Sequence, residues 1–232
     1  MAADDPNLKA RLEQLTAEVE QTYRPPSDAS SGASSTPSEQ APKRPTMMAR
    51  WKQNALIPIF ILAIPWAQEI IDQVFFGGRW NLPIHPRTLE GLPGIIFAAF
   101  SHGGFGHLIS NTIAFTIFSW LILIKSRRDY WITFCMGWLG GGAVSWLLGP
   151  TSVHGLSGVV YALFGYLLVI GWLEKRLVPL ALSVFVLANY SYHIWGIFPT
   201  HPMVAWWGHL FGLALGILAA YGVYREPKKA ST

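Results

Sequence analysis

Six stretches of the chain, at about residues 55–76, 106–124, 130–148, 155–173, 178–198 and 203–224, are apolar with little polar interruption. Each is close to the ~20 residues that a helix needs to cross a bilayer core. The pattern therefore predicts an all-α fold, a polytopic membrane protein built as a bundle of six transmembrane helices. The first stretch is the least uniform, with Gln68, Glu69 and Asp72 in its second half. Three others carry polar side chains near their starts: His107 and Asn111 in the second, Ser157 in the fourth, His209 in the sixth. Polar groups in hydrocarbon are costly and, where they persist, tend to be functional.

Ahead of the spans the pattern changes. Residues 1 to about 23 read as a short polar helix, and residues 24–46, with Pro25, Pro26, Ser30, Ser31, Gly32, Ser34, Ser35, Pro37 and Pro42, cannot bury a core and read as a disordered tether. The expected layout is a largely disordered cytoplasmic tail at 1–52, a six-helix membrane domain at 53–224 and a short cytoplasmic tail at 225–232. The first twenty residues carry Asp4, Asp5, Glu13, Glu18 and Glu20, which is not the pattern of a secretory signal peptide.

Composition narrows the class. Of 232 residues, 51% are hydrophobic and 13% charged, with 11 Trp, which excludes an ordinary soluble domain. The single cysteine, Cys135, excludes an intrachain disulfide. The net charge of +4 matters less than its placement. Lys43, Arg44, Arg50 and Lys52 precede the first span; Lys125, Arg127 and Arg128 separate the second from the third; Lys175 and Arg176 separate the fourth from the fifth; Arg225, Lys228 and Lys229 follow the sixth. The opposite connections hold only Arg79 and Arg87. By the positive-inside rule both termini are cytoplasmic, and the second, fourth and sixth spans run from outside to inside. A multi-pass protein of a bacterial plasma membrane fits this distribution.

The three polar exceptions thus lie on parallel spans, and their depths can be compared. Seventeen residues separate Ser157 from Glu174, sixteen separate His209 from Arg225, and eighteen separate His107 from Lys125. At about 1.5 Å per residue these are roughly 26, 24 and 27 Å above the inner boundary of a core about 30 Å thick. Asn111 shares the face of His107 one turn deeper. Ser157, His209, His107 and Asn111 are therefore expected around one cavity that opens outward.

A serine hydroxyl needs a base to take its proton, and histidine titrates near neutrality. Ser157 and His209 fit that pair. The only acids within the spans, Glu69 and Asp72, lie on the first, which favours a Ser–His dyad over a triad. Acyl transfer also needs donors for the oxyanion; Asn111, His107 and the backbone N–H of Ser157 at a helix N-terminus are suited. Gly212 and Gly216 form a GxxxG beside His209, a surface that lets helix backbones approach closely. Gly155, Gly158 and Gly165 are expected to supply the complementary surface and bring Ser157 within hydrogen-bond reach of His209. The run Gly137–Gly142 reads as a packing face of the third span. Each element alone has an ordinary structural explanation; their conjunction at one depth is far more specific.

These residues resemble the rhomboid intramembrane serine proteases over about residues 53–224. Gly155-Leu156-Ser157-Gly158 is similar to the family's GxSG, and His209-x-x-Gly212-x-x-x-Gly216 to its sixth-span HxxGxxxG. The resemblance implies Ser157 as nucleophile and His209 as base. His102-x-x-x-x-His107-x-x-x-Asn111 is similar to the second-span pattern, which implies oxyanion stabilisation by His107 and Asn111 with His102 in support. Tyr161 matches the aromatic that stacks on the catalytic histidine, and Ile84-His85-Pro86-Arg87 with Gly91-Leu92 resembles the start of a long first loop. The sequence departs from the family at Leu156, where alanine is commoner, at Ala162, where glycine is frequent, and at Arg79-Trp80, which reverses a first-loop pair and lies upstream of it. The resemblance implies no cofactor, and transmembrane proteins cleaved near a span end as substrates.

The leading expectation is an endopeptidase that cleaves membrane-anchored substrates through an acyl-enzyme. The alternative is a non-catalytic relative that binds or chaperones membrane clients; the presence of both Ser157 and His209 argues against it. A metal transporter or metalloprotease is the third class, because the seven histidines (85, 102, 107, 154, 193, 201 and 209) all map to the outer half. No HExxH occurs, and no Cys or carboxylate accompanies His107 or His209, so no metal site is expected. The partners expected are substrate helices and the lipid bilayer, with no nucleic acid.

Overall fold

A computed structural model of the chain describes residues 6–22, 52–200 and 204–225. The chain divides between residues 44 and 45 into two units. The amino-terminal unit contains the helix Pro6–Thr22, whose Leu12, Leu15 and Val19 are exposed. The expected tether at 24–46 lies outside the described residues, as do His201 and the charges at Lys43, Arg44, Arg50, Lys228 and Lys229.

The second unit contains six helices long and apolar enough to cross a membrane: α1 (Lys52–Phe76), α2 (Phe105–Lys125), α3 (Arg127–Leu148), α4 (Ser157–Glu174), α5 (Leu177–Ile197) and α6 (Trp206–Arg225). The described residues contain no strand, only an isolated bridge between Ile84 and Val153. Hydropathy located all six, because a spanning segment must satisfy its backbone internally and be apolar along its whole length. The helices depart from regularity where the sequence carries polar or small residues: α1 closes on a π turn over Asp72–Phe76, and α3 holds another at Met136–Gly140.

α4 is the centre of the bundle. In its most apolar stretch 61% of residues are buried, against 17% for α5, the least enclosed span. Leu163, Phe164, Leu167 and Ile170 of α4 pack among Phe115, Phe118 and Ile122 of α2, all fully buried. On another side α4 meets α6 backbone to backbone. A Cβ placed on Gly212 would lie 2.2 Å from Gly158 O, one on Gly216 1.9 Å from Ala162 O, and one on Gly165 2.5 Å from Leu213 O. Lipid tails give helices no hydrophobic reason to associate, so van der Waals contact at such small residues holds them. Ala162 completes this surface. Gly137 of α3 sits equally close to α4, where its Cβ would meet that of Ala162 at 2.6 Å.

The polar residues of α1 face protein. Gln68 Nε2 donates to Trp80 O at 2.8 Å, Trp80 N donates to Asp72 Oδ1 at 2.7 Å, and Gln73 Nε2 donates to Glu69 Oε1 at 2.8 Å. They tie α1 to the start of the 77–104 connection. That connection then docks on the turn between α3 and α4: Arg87 Nη1 donates to Gly149 O at 2.9 Å, His85 Nδ1 and Ser152 Oγ lie 2.8 Å apart, and Trp146 Nε1 donates to Thr88 O at 2.8 Å. The first loop is therefore packed without the Trp-Arg pair.

At the other end of the bundle Lys125 joins three helices. Its Nζ contacts Asp129 of α3, Glu174 of α4 at 2.9 Å and the Tyr166 hydroxyl at 2.9 Å, and all three ion-pair side chains are nearly buried.

Candidate active site

The first turns of α2, α4 and α6 converge on a cavity of about 720 Å³. His107, Ser110 and Asn111 enter from α2, Ser157 and Tyr161 from α4, and His209 from α6. The cavity end of α5 adds Tyr192, His193 and Gly196, and the turn before α4 adds Ser152 and His154. The three residues expected at one depth, and Asn111 one turn deeper, thus line one space. A second, smaller cavity of about 50 Å³, lined by glycines including Gly142, Gly155, Gly158 and Gly208, also touches Ser157.

Ser157 is the first residue of α4, so its backbone N–H lacks an intrahelical acceptor. The preceding turn is held by two bonds: Gly155 N donates to Ala98 O at 2.8 Å, and Leu156 N donates to His102 Nε2 at 3.3 Å. Gly155 adopts φ +115°, open only to glycine without strain, and a Cβ there would sit 2.8 Å from His107 Cε1. Its place is therefore in the turn against α2. Of the three glycines expected to receive α6, Gly158 and Gly165 do so and Gly155 does not.

His209 is gripped from two sides. Its ring stacks on Tyr161, with centroids 4.1 Å apart and planes 8° from parallel. Its Nδ1 lies 2.9 Å from Gly196 O. A carbonyl only accepts, so Nδ1 carries the proton and Nε2 keeps its lone pair. Tyr161 in turn donates its hydroxyl to His193 O at 2.8 Å. Ser157 and His209 share the cavity wall, with no hydrogen bond between them.

Asn111 is buried and its Nδ2 has no hydrogen-bond partner. An unsatisfied donor at a cavity wall is costly unless something there accepts from it. Outside the spans, burial and then the neighbouring His107 and His154 push His102 down from 6.5 to about 3, and burial also lowers His154. His102 is thus neutral, as its acceptance of the Leu156 N–H demands.

Among the described residues no group of three or more His, Cys, Asp or Glu could hold a metal ion. The sequence placed His154 and His193 in the outer half without a catalytic role and gave none to Gly196, yet all three line the cavity. The signal for the first was its position three residues before Ser157. For Gly196 none existed, because it acts through its backbone.

The family model for the rhomboid domain matches residues 90–226. An uncharacterized protein of Mycobacterium tuberculosis is 31% identical over 211 residues, covering 86% of this chain and 85% of its own length, and one of Mycobacterium bovis matches to the same extent. An uncharacterized protein of Mycobacterium leprae is 31% identical over 183 residues, covering 74% of this chain and 72% of its own.

Proposed function

The chain belongs to the rhomboid family, and from that premise we propose that it is an intramembrane serine endopeptidase working through a Ser157–His209 dyad. The observation that carries this reading is the shared cavity, in which a helix-terminal serine and an imidazole with a free Nε2 lie beside an unpartnered Asn111 amide.

In the proposed reaction Ser157 Oγ attacks the carbonyl carbon of a substrate peptide bond while His209 Nε2 takes the hydroxyl proton. The carbonyl π electrons move onto oxygen. That oxyanion accepts from Asn111 Nδ2, from His107 and from the Ser157 N–H at the helix terminus. Collapse breaks the C–N bond; the leaving amine takes the proton from His209 and departs, leaving an ester on Ser157. Water then attacks the ester, His209 again removing and returning a proton, and the acid is released. Tyr161 supports the imidazole from below. Gly158, Gly212 and Gly216 hold α4 and α6 together, and Gly155 and His102 shape the turn that presents Ser157. No step calls for a cofactor or metal.

The substrates proposed are transmembrane proteins whose helix unwinds near a span end, since the cavity sits at the helix termini. The proposed topology keeps the 1–52 tail and the 225–232 tail in the cytoplasm of a bacterial cell, with the cavity facing outward.

The test is cleavage of a membrane-anchored substrate segment by the purified protein in liposomes. Ser157→Ala and His209→Ala are each expected to abolish product, and a serine-directed phosphonate should label Ser157 only while His209 is present. Cleavage undiminished in Ser157→Ala would overturn the assignment. Binding of the segment with no cleavage by the unaltered protein would favour the client-binding alternative.

A further inference from the structure

A serine–histidine pair needs something to fix the imidazole tautomer, and among the described residues no carboxylate lines this cavity. We propose that the backbone carbonyl of Gly196 is the positioning group for His209, so that the cavity end of α5 belongs to the catalytic assembly. This rests on His209 being the base.

Three observations carry it. First, Gly196 O lies 2.9 Å from His209 Nδ1 and can only accept, which commits the proton to Nδ1 and leaves Nε2 for the serine proton. A carboxylate would do the same and add charge; a carbonyl supplies the orientation without burying an ion. Second, the position tolerates no side chain. A Cβ on Gly196 would stand 1.9 Å from the Tyr161 hydroxyl and 3.3 Å from His209 Nδ1. Third, the same turn holds the ring beneath the imidazole. Tyr161 donates to His193 O, three residues before Gly196, while its ring stacks on His209. One turn of α5 thus fixes His209 in its plane through Gly196 and from below through Tyr161.

The turn itself is lightly anchored. It is a 3₁₀ segment, Ser191–Ile197, with no buried residue, on the least enclosed of the six spans. Beyond the two carbonyl bonds, it meets the core through the His193 ring, which lies 5.5 Å from Phe118 and 5.4 Å from Phe164, and through the half-buried Ile194 and Ile197. A displacement of this turn that widens the cavity also withdraws the acceptor from His209. The dyad therefore depends on the end of α5 being seated against His209.

The experiment weakens the acceptor without adding bulk. An ester in place of the Gly196–Ile197 peptide leaves the carbonyl in position but makes it a poorer acceptor. The matched control, an ester at Ile197–Phe198, perturbs the same turn and spares Gly196 O. With the Gly196–Ile197 ester, kcat is expected to fall about tenfold at unchanged KM, the scale of one lost hydrogen bond. The 15N spectrum of labelled histidine, with His209 identified by loss of its signals in His209→Ala, should change from Nδ1–H alone to a mixture of tautomers. The control should alter neither. Unchanged kcat and tautomer with the first ester, or an equal loss with the control, would overturn the proposal. The tautomer can also be read in Ser157→Ala, independently of turnover. If Ser157→Ala still cleaves, the protease assignment fails; if it does not cleave and the ester is silent, only the role of Gly196 fails.

Discussion

His102 was legible in the sequence only as part of a spacing; its work depends on neutrality. Its Nε2 accepts the Leu156 N–H that sets the turn before Ser157, and a protonated ring could not accept. Its pKa in the folded protein is pushed down from 6.5 to about 3. Between those values the unfolded chain binds a proton that the folded protein refuses. The associated stability is fully present above pH 6.5 and is lost as pH falls, at about 1.4 kcal/mol per pH unit for one site. His102→Gln retains an acceptor and removes the titration. Its thermal midpoint should therefore fall less than that of the unaltered protein between pH 7 and pH 5. Parallel curves for the two proteins would refute this linkage.

At the scale of elements, the contact between α4 and α6 decides whether Ser157 and His209 can meet. The GxxxG spacing disclosed one side of it, and Gly158 and Gly165 on α4 were foreseeable partners. The third close approach is to the backbone oxygen of Ala162, which a side-chain pattern does not reveal. Gly216→Val would drive a branched side chain into that oxygen and force the helices apart. Overpacking of this kind costs about 1–3 kcal/mol, and because His209 rides on α6, activity should fall by more than stability alone explains. Gly222→Ala on the same helix is the control, since a Cβ there meets nothing within 4 Å. The comparison needs only thermal unfolding and cleavage rate for both variants; equal behaviour would show that the spacing of α4 and α6 is not limiting.

For the whole molecule, the end opposite the cavity is closed by charge. Lys125 reaches Asp129, Glu174 and Tyr166, so one ammonium ties α2 to α3 and α4 with little exposure to solvent. Removing one partner from a buried network strands the others, a loss of about 3–5 kcal/mol. Lys125→Met should lower the thermal midpoint sharply, and adding Asp129→Asn with Glu174→Gln should recover much of it, because neutral side chains need no counter-charge. Failure of the triple variant to recover would mean that the pairing energy, and not the stranded charge, dominates.

The sequence by itself determined the six spans, the family and which side chains could line a common cavity. Hydrocarbon imposes uniform apolarity on a spanning helix, so every polar exception stands out, and a rise per residue converts its position into a depth. Tertiary structure alone decided what orients those side chains. Every residue carries a carbonyl, so nothing in the sequence distinguishes Gly196 O, His193 O or Ala162 O from the rest; only packing selects which ones are presented. The placement of Gly155 was decided in the same way, by a positive φ and the ring of His107 against it. Side-chain chemistry is written one residue at a time, whereas backbone acceptors acquire meaning only when another helix lies against them.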